Sequence, residues 1–334
     1  MGTLYINTEG AFIGKTDERI TVKVEQKNIL DVPLLKVEGV VVLGRATVSP
    51  ALIIELLERN IPLTFLAPTG RFLGTLTPEL TKNIFVRQAQ WRAKDHQQQS
   101  LHIASACVRG KLKNALKSLQ RWERDRSESN LENVIAQMKQ SLKTLETAQS
   151  IESVRGAEGA GSAAYFSAFE QAITNPEFSF SHRNRRPPKD PVNAMLSLGY
   201  ALLRHDIQSA LNIVGFDPYA GFLHTDRYGR PSLALDMMEE FRPLVVDPIV
   251  LTCINRKMVS PADFNQEPIS EAVYLTDAGR QTFLRAYEQK KQSDFKHPVM
   301  GRKCTYREAF EIQARLLSKY LLGEIEQYPP LVMR

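Results

Sequence analysis

The sequence contains few cysteines and no long apolar run. Its three cysteines, Cys107, Cys253 and Cys304, are far apart and show no CxxC spacing, which argues against a disulfide framework and a zinc knuckle. No stretch approaches the roughly 18 uninterrupted apolar residues of a membrane span, and the N-terminal MGTLYINTEG lacks the pattern of a signal peptide. These absences predict a cytoplasmic protein with reduced cysteines and no membrane partner.

The basic residues are unevenly distributed along the chain. Over 334 residues the net charge is +6, a modest excess that ordinary soluble proteins also show. Residues 81–126 contain eleven Lys or Arg and three Asp or Glu, which gives this segment a net charge of +8. Such a concentration is typical of proteins that bind the phosphates of nucleic acid.

The sequence pattern changes from strands to helices near residue 80. Residues 19–25 alternate apolar and polar side chains, as in a strand, and Ser49-Pro50 predicts the start of a helix that continues to about residue 59. Beyond residue 78 the strand signals stop and long helical patterns follow. We therefore predict an α+β protein, with a small β-rich domain over residues 1–80 and a larger all-α domain over residues 86–326.

Several helices are predicted for the second domain, and prolines mark some of their limits. Asp190-Pro191 combines a cap with a first-turn proline, whereas Pro243 and Pro248 should kink or break the helix that contains them. The predicted spans are 83–124 with room for one break, 130–147, 151–174, 191–214 and 233–256, with two further helices near the C-terminus.

A lone histidine precedes a helix that carries acidic residues. His224 lies in a turn-rich loop, and the three-residue spacing of Asp236 and Glu239 places both carboxylates on one helix face. Together these groups could bind one cation, although a loop histidine and helix acids are each more often ordinary surface groups. Asp236 lies in a largely apolar run, where an unpaired carboxylate would be costly, so it needs a partner.

A second acid is surrounded by glycines. Glu158 is flanked by Gly156, Gly159 and Gly161 in a sequence that otherwise reads as helix. Each glycine costs roughly 1 kcal/mol in a helix interior relative to alanine, which indicates close approach of another backbone or of a ligand. Tight helix packing and a ligand site explain this pattern equally well.

A third stretch concentrates positive charge ahead of a helix. Residues 181–193, SHRNRRPPKDPVN, contain four basic side chains, Arg183, Arg185, Arg186 and Lys189. The guanidinium group of arginine can donate two hydrogen bonds to phosphate oxygens. A charged loop exposed to solvent is nevertheless the default explanation for such a run.

Taken together, these stretches resemble the CRISPR-associated protein Cas1 family. The matching elements, in the family's order and spacing, are Glu158-Gly159 to Tyr165-Phe166, Asp190-Pro191-Val192-Asn193 with Gly199-Tyr200, His224, Leu233 to Asp236, and Glu239 to Pro243. The resemblance is specific over about residues 150–250 and looser over the β-rich N-terminus and the basic helix, where Arg87 and Gln90 are similar to the family.

The resemblance implies a metal-dependent DNA endonuclease and integrase of CRISPR spacer acquisition, which joins 3′-hydroxyl ends of short DNA into the repeat array by transesterification. It implies that Glu158, His224 and Glu239 ligate a divalent metal, with Asp236 as a neighbouring or alternative ligand. Carboxylate oxygens favour Mg²⁺ or Mn²⁺. Arg242 and Tyr165 would steady the phosphate or the strand.

The resemblance also implies partners. Double-stranded and branched DNA at the repeat array would be held by two basic regions, Arg87 and Arg92 on the basic helix and Arg183, Arg185, Arg186 and Lys189 in the loop. A homodimer joined through the β-rich domains and a complex with the Cas2 protein are further expectations. Three alternatives remain open: a non-catalytic DNA-binding scaffold, a metal-dependent nuclease of DNA repair, and an enzyme that acts on a small molecule in an enclosed pocket.

Overall fold

The structure is a computed structural model that describes residues 2–67, 72–76, 83–125, 131–184 and 187–333. The chain divides into two units, Met1–Leu80 and Thr81–Arg334. The first is rich in strands and the second is mostly helical, which confirms the α+β class. Within the described part of the chain, no helix is both long and apolar enough to cross a membrane.

Two four-stranded sheets, one α-helix and a short 3-10 helix (Leu34–Lys36) make up the described N-terminal unit. Its elements are β1 (Gly2–Ile6), β2 (Ala11–Thr16), β3 (Arg19–Val24), β4 (Lys27–Pro33), β5 (Val37–Leu43), β6 (Ala46–Val48), α1 (Pro50–Glu58), β7 (Leu63–Leu66) and β8 (Phe72–Leu76). One sheet has the strand order β1-β5-β7-β8 and the other the order β4-β3-β2-β6.

The predicted strand and helix of this unit are confirmed. Ile20 and Val22 of β3 are almost completely buried and belong to the same apolar core as Leu52 of α1. Ser49 caps α1 by accepting a hydrogen bond from the Leu52 amide at 3.3 Å. Thr21, at a polar position of β3, is also buried, and its hydroxyl lies 3.5 Å from a backbone carbonyl oxygen of β2.

The second unit contains long helices at the predicted places. They are α2 (Ile84–Asp95), α3 (Gln97–Asp125), α4 (Glu132–Glu146), α5 (Ile151–Ser167), α6 (Pro191–Val214), α7 (Ser232–Met238), α8 (Arg242–Asn255), α9 (Asp277–Lys291) and α10 (Tyr306–Leu321). The break allowed in the first long span falls at His96. The break predicted from the two prolines falls just before Pro243, whereas Pro248 lies inside α8.

The second unit is mostly helical, and it also contains short strands that the sequence did not predict. Two antiparallel ribbons, β9 (Phe264–Gln266) with β10 (Val273–Leu275) and β11 (Asp294–Lys296) with β12 (Lys303–Thr305), separate its last helices. Each strand has three residues. A strand this short does not produce a recognisable alternation in the sequence.

Helix α3 has a central position in the second unit. It contacts α4, α5, α7 and α8, which carry the residues singled out in the sequence or flank them. Helix α3 therefore lies against α5, which carries Glu158, and against both helices that flank Glu239.

Candidate active site

Glu158 lies in the middle of α5, on a helix surface shaped by small residues. A side chain at Gly161 would meet Leu112 of α3 at 2.4 Å, whereas a Cβ at Gly156 or Gly159 would have no described atom within 4 Å. Close helix packing therefore accounts for Gly161, whereas no described neighbour accounts for Gly156 or Gly159. The Glu158 carboxylate, with about a quarter of its side chain exposed, accepts a hydrogen bond from Ser162 Oγ at 2.8 Å.

Asp236 organises the histidine loop. Its side chain is fully buried, and its carboxylate accepts hydrogen bonds from the backbone amides of Phe222, Leu223 and His224 at 2.6, 2.9 and 3.0 Å. His224 Nδ1 lies 2.6 Å from the same carboxylate. A carboxylate with four such contacts serves as a support for the loop, and it leaves Nε2 as the histidine nitrogen suited to a metal.

Close packing explains the glycine that begins this loop. A Cβ at Gly221 would lie 2.7 Å from the Ser232 backbone carbon and 2.8 Å from Asp236 Oδ2. Only a residue without a side chain fits between the loop and α7 at this point.

Residues of α2 and α5 fix the position of the loop. Gln90 is fully buried and its amide nitrogen donates to the carbonyl oxygens of Asp217 and Ala220 at 2.8 and 2.7 Å. Lys94 Nζ donates to the Gly221 carbonyl at 2.8 Å, and Arg155 Nε donates to the Leu223 carbonyl at 2.7 Å. The helix that carries Glu158 is thus bonded directly to the loop that carries His224.

Glu239 lies at the junction between α7 and α8 and is 4% exposed. Its Oε1 accepts a hydrogen bond from Arg242 Nη1 at 2.8 Å, and its Oε2 lies 2.7 Å from Lys111 Nζ. Burial by itself would raise the pKa of Glu239, but the charges of Arg242 and Lys111 outweigh burial and lower the pKa to about 2. Glu239 is therefore ionised at any physiological pH.

Lys111 is a site residue that the sequence analysis did not single out. It is 6% exposed, and its ammonium group contacts the carboxylates of both Glu158 and Glu239. The signal was present in the sequence, because Lys111 lies four residues after Cys107 and four before Ala115, on the apolar stripe of α3. A charge on such a stripe needs a buried partner.

A second polar network lies beside Glu239. The Arg242 guanidinium stacks 4.1 Å from the ring centre of Tyr200, whose hydroxyl donates to Asp247 at 2.5 Å. Burial raises the pKa of Asp247 to about 6, against the lowering effects of Tyr200 and Arg242. Tyr165 is 3% exposed and packs edge-on against Phe169, so the ring belongs to the core behind the carboxylates.

The C-terminal segment packs behind the site. Glu240, the residue after Glu239, is fully buried and accepts hydrogen bonds from the Tyr328 hydroxyl, the Leu331 amide and the Gln313 side chain. Burial raises the pKa of Glu240 to about 7, although these hydrogen bonds lower it. Residues 328–333 therefore support the backbone at the α7–α8 junction.

Glu158, His224 and Glu239 carry the kinds of donor atom that bind a divalent ion, although Lys111 lies between the two glutamates. Among the described residues, no three His, Cys, Asp or Glu side chains form a ligand cluster as they stand. Glu239 Oε2 is buried, and its described polar contact is with the Lys111 ammonium at 2.7 Å. A buried carboxylate oxygen of this kind, beside a second carboxylate and an imidazole, suits Mg²⁺ or Mn²⁺.

The predicted DNA-binding residues have differing surroundings. Arg92 is exposed and Arg87 is half-buried, both on α2. Arg183 bonds to the Asn193 and Ser197 side chains, at 2.5 and 3.1 Å, and thereby ties its loop to α6, while Lys189 pairs with Glu271 at 2.9 Å. Arg185 and Arg186 lie outside the described residues. A role for these residues in DNA binding stays a prediction.

Comparison with known proteins identifies the family. The sequence model of the family described as CRISPR associated protein Cas1 matches residues 4–289. A CRISPR-associated endonuclease Cas1 of Chlorobaculum tepidum is 40% identical, with 100% of this chain and 99% of the relative aligned. A second one, from Thermus thermophilus, is 39% identical, with 100% and 98% aligned.

Solved structures agree with this result. A Cas1 protein of Thermotoga maritima superposes with a TM-score of 0.82 at 25% identity, over 96% of this chain and 97% of that one. A casposase bound to integration product superposes with a TM-score of 0.88 over 100% of this chain and 95% of that one; at 22% identity this likeness concerns the fold. The extent of the family match and the identity of the relatives together show that the chain belongs to the Cas1 family of CRISPR-associated proteins.

Proposed function

We propose that this protein is a metal-dependent DNA endonuclease and integrase of CRISPR spacer acquisition. The observation that carries the proposal is that Glu158 and Glu239 contact the same lysine, Lys111, and that the charge of His224 acts on Glu239, in a chain of the Cas1 family. The relatives are named CRISPR-associated endonucleases, and a structural neighbour is a casposase bound to integration product. Both names describe enzymes that break or join DNA strands.

The proposed reaction is a transesterification. The 3′-hydroxyl oxygen of an incoming DNA end forms a new bond to a phosphorus atom in the repeat, and the bond from that phosphorus to its original 3′-oxygen breaks. The departing 3′-oxygen takes up a proton and becomes a free hydroxyl. Water in place of the incoming hydroxyl would give a nick. The two reactions need the same site, so one arrangement of residues supports both activities.

Glu158, His224 and Glu239 would hold the divalent ion in this proposal. Mg²⁺ or Mn²⁺ bound there would polarise the phosphate and assist the nucleophile. Asp236 orients His224 and does not need to touch the ion, because its oxygens already accept hydrogen bonds from the loop. Arg242 holds Glu239 ionised and lies against the same carboxylate that would ligate the ion.

We also propose the DNA contacts and the assembly. Basic residues of α2 and α3, with the half-buried Arg87 and the exposed Arg92 among them, would bind DNA phosphates with little dependence on sequence and strong dependence on salt. A homodimer through the β-rich unit and a complex with Cas2 in the cytoplasm would bring two sites to the two strands of a repeat. Solved relatives include complexes named for Cas1 with Cas2, which supports the Cas2 part.

The non-catalytic scaffold is the less favoured function. It would use Glu158, Glu239 and His224 only for the ion pairs and the hydrogen bond that they make with Lys111, Arg242 and Asp236. A nuclease of DNA repair would use the same residues on different DNA. An enzyme that prefers repeat DNA to other branched DNA is an integrase of the repeat array, whereas a repair nuclease would show no such preference.

The test is strand transfer on branched DNA with Mn²⁺. Glu158→Ala and His224→Ala should each lower the rate by on the order of 100-fold or more, because loss of a metal ligand removes stabilisation of several kcal/mol. Glu152→Ala is the matched control, since Glu152 is also on α5 but its side chain is 78% exposed. Unchanged strand transfer in either ligand variant would remove the proposed site. DNA binding without any transfer in Mn²⁺ or Mg²⁺ would favour the scaffold.

A further inference from the structure

Lys111 lies where a divalent ion would have to bind. Its Nζ contacts a carboxylate oxygen of Glu158 and lies 2.7 Å from Glu239 Oε2, and these are two of the three proposed ligands. An ion bridging the same oxygens would lie within a few ångströms of the ammonium group. Two cations at so short a distance repel each other strongly when they are buried. The ammonium and the ion therefore exclude each other from this position.

The charges of the four groups in direct ionic contact balance without a metal. Glu158 and Glu239 contribute two negative charges, and the two cations that contact them, Lys111 and Arg242, contribute two positive charges. A divalent ion adds two further positive charges to a place where Lys111 is 6% exposed and Glu239 is 4% exposed. An uncompensated charge in such surroundings is costly. The metal-bound site therefore needs additional negative charge.

We propose that Lys111 is an internal counter-cation that makes metal binding depend on DNA binding. Without DNA, its ammonium group keeps the two carboxylates neutralised and competes with the ion. With DNA, backbone phosphates give the displaced ammonium a new partner and supply the additional negative charge. This inference rests on the proposed function, and it makes Lys111 a positioning residue for the metal.

DNA phosphate fits this role by its chemistry. A phosphodiester carries one full negative charge and accepts hydrogen bonds from ammonium groups with its non-bridging oxygens. Lys111 has a flexible four-carbon stem, so its charge can move by several ångströms while α3 stays fixed. Binding linkage then requires reciprocity: if DNA tightens metal binding, the metal must tighten DNA binding by the same factor.

A purely structural role for Lys111 predicts a different outcome. In that case the ammonium would only join α3 to α5 and to the α7–α8 junction. Its removal would lower the stability of the protein, and the affinity for metal would fall or stay the same because the carboxylates would lose their support. The sign of the change in metal affinity therefore separates the two roles.

The experiment measures Mn²⁺ binding by the electron paramagnetic resonance signal of free Mn²⁺. The full-length protein is titrated alone and with a short duplex whose dideoxy 3′ ends cannot react. Lys111→Met should bind Mn²⁺ at least about fivefold more tightly than wild type without DNA, the lower end of typical coupling between sites. The duplex should tighten Mn²⁺ binding to wild type by a similar factor and have much less effect on the variant.

Lys113→Met is the matched control, because Lys113 is exposed and lies two residues along the same helix. It should bind Mn²⁺ as wild type does. If Lys111→Met does not fold, Lys111→Gln replaces it, and the wild-type titration remains informative in either case. An Mn²⁺ affinity of wild type that the duplex leaves unchanged overturns the proposal, as does a Lys111 variant that binds Mn²⁺ no more tightly than wild type.

Glu158→Ala distinguishes this inference from the proposed function. If that variant loses Mn²⁺ binding while the Lys111 variants behave as wild type, the metal site stands and the role of Lys111 is wrong. If Glu158→Ala binds Mn²⁺ as wild type does, the metal site itself is wrong, and with it the proposed function.

Discussion

Replacing Asp236 with asparagine changes a single atom of a buried side chain, yet we expect it to weaken metal binding. One carboxylate oxygen accepts the amides of Phe222 and Leu223, and the other accepts the amide of His224 and faces its Nδ1 at 2.6 Å. An asparagine side chain keeps only one of these acceptors. It loses fewest hydrogen bonds if its oxygen stays with Phe222 and Leu223 and its NH₂ group faces His224.

The size of the effect follows from this arrangement. The His224 amide loses its acceptor, and a buried unpaired donor costs about 1–3 kcal/mol of folding stability. The imidazole faces a donor in place of an acceptor, so its proton moves from Nδ1 to Nε2. The nitrogen proposed to bind the metal is then protonated. Loss of such supporting partners typically lowers metal affinity by about 10–100-fold.

Two measurements test this reasoning together. Denaturant unfolding in EDTA gives the stability loss, and calorimetric titration with Mn²⁺ gives the affinity. Asp226→Asn is the control, because Asp226 is an acid of the same loop that pairs with Lys94 at 2.9 Å and has a side chain that is 63% exposed. Asp236→Asn with the Mn²⁺ affinity of wild type would refute the orienting role of Asp236, even if its stability falls.

Two further predictions concern stability. Gly161→Ala should lower the free energy of unfolding by about 1–3 kcal/mol, because its Cβ would meet Leu112 at 2.4 Å, whereas Gly156→Ala, with no described atom within 4 Å, should raise it by up to about 1 kcal/mol. Equal effects in denaturant melts would contradict the helix-packing explanation. Burial lowers the pKa of His205 to about 4 from 6.5, so the stability due to neutral His205 is complete above pH 6.5 and is lost as the pH falls toward 4. When the pH falls from 8 to 5, His205 should lower the free energy of unfolding by about 2 kcal/mol. The free energy of unfolding of His205→Gln should therefore depend less on pH.

Much of the fold could be predicted from local sequence. Helix α6 begins and ends at the predicted residues because Asp190 caps it, Pro191 fits its first turn and Gly215 ends it in a left-handed conformation. The break near Pro243 was also predictable, since proline removes a backbone donor. The ribbons β9–β10 and β11–β12 were missed, because three-residue strands are stabilised by their partners and by the helices around them rather than by their own sequence.

The sequence by itself determined which side chains are chemically suited to a metal site and, through their order, the resemblance to the Cas1 family. The sequence did not show which of these side chains would bind the metal and which would support a metal ligand. Only the tertiary structure shows that Asp236 turns toward the His224 loop while Glu239, three residues later, turns toward Lys111 and Arg242. It also brings Lys111 and Glu158 together across 47 residues of chain. Such contacts depend on how α3, α5 and α8 pack, and packing is a property of the whole fold rather than of any local stretch.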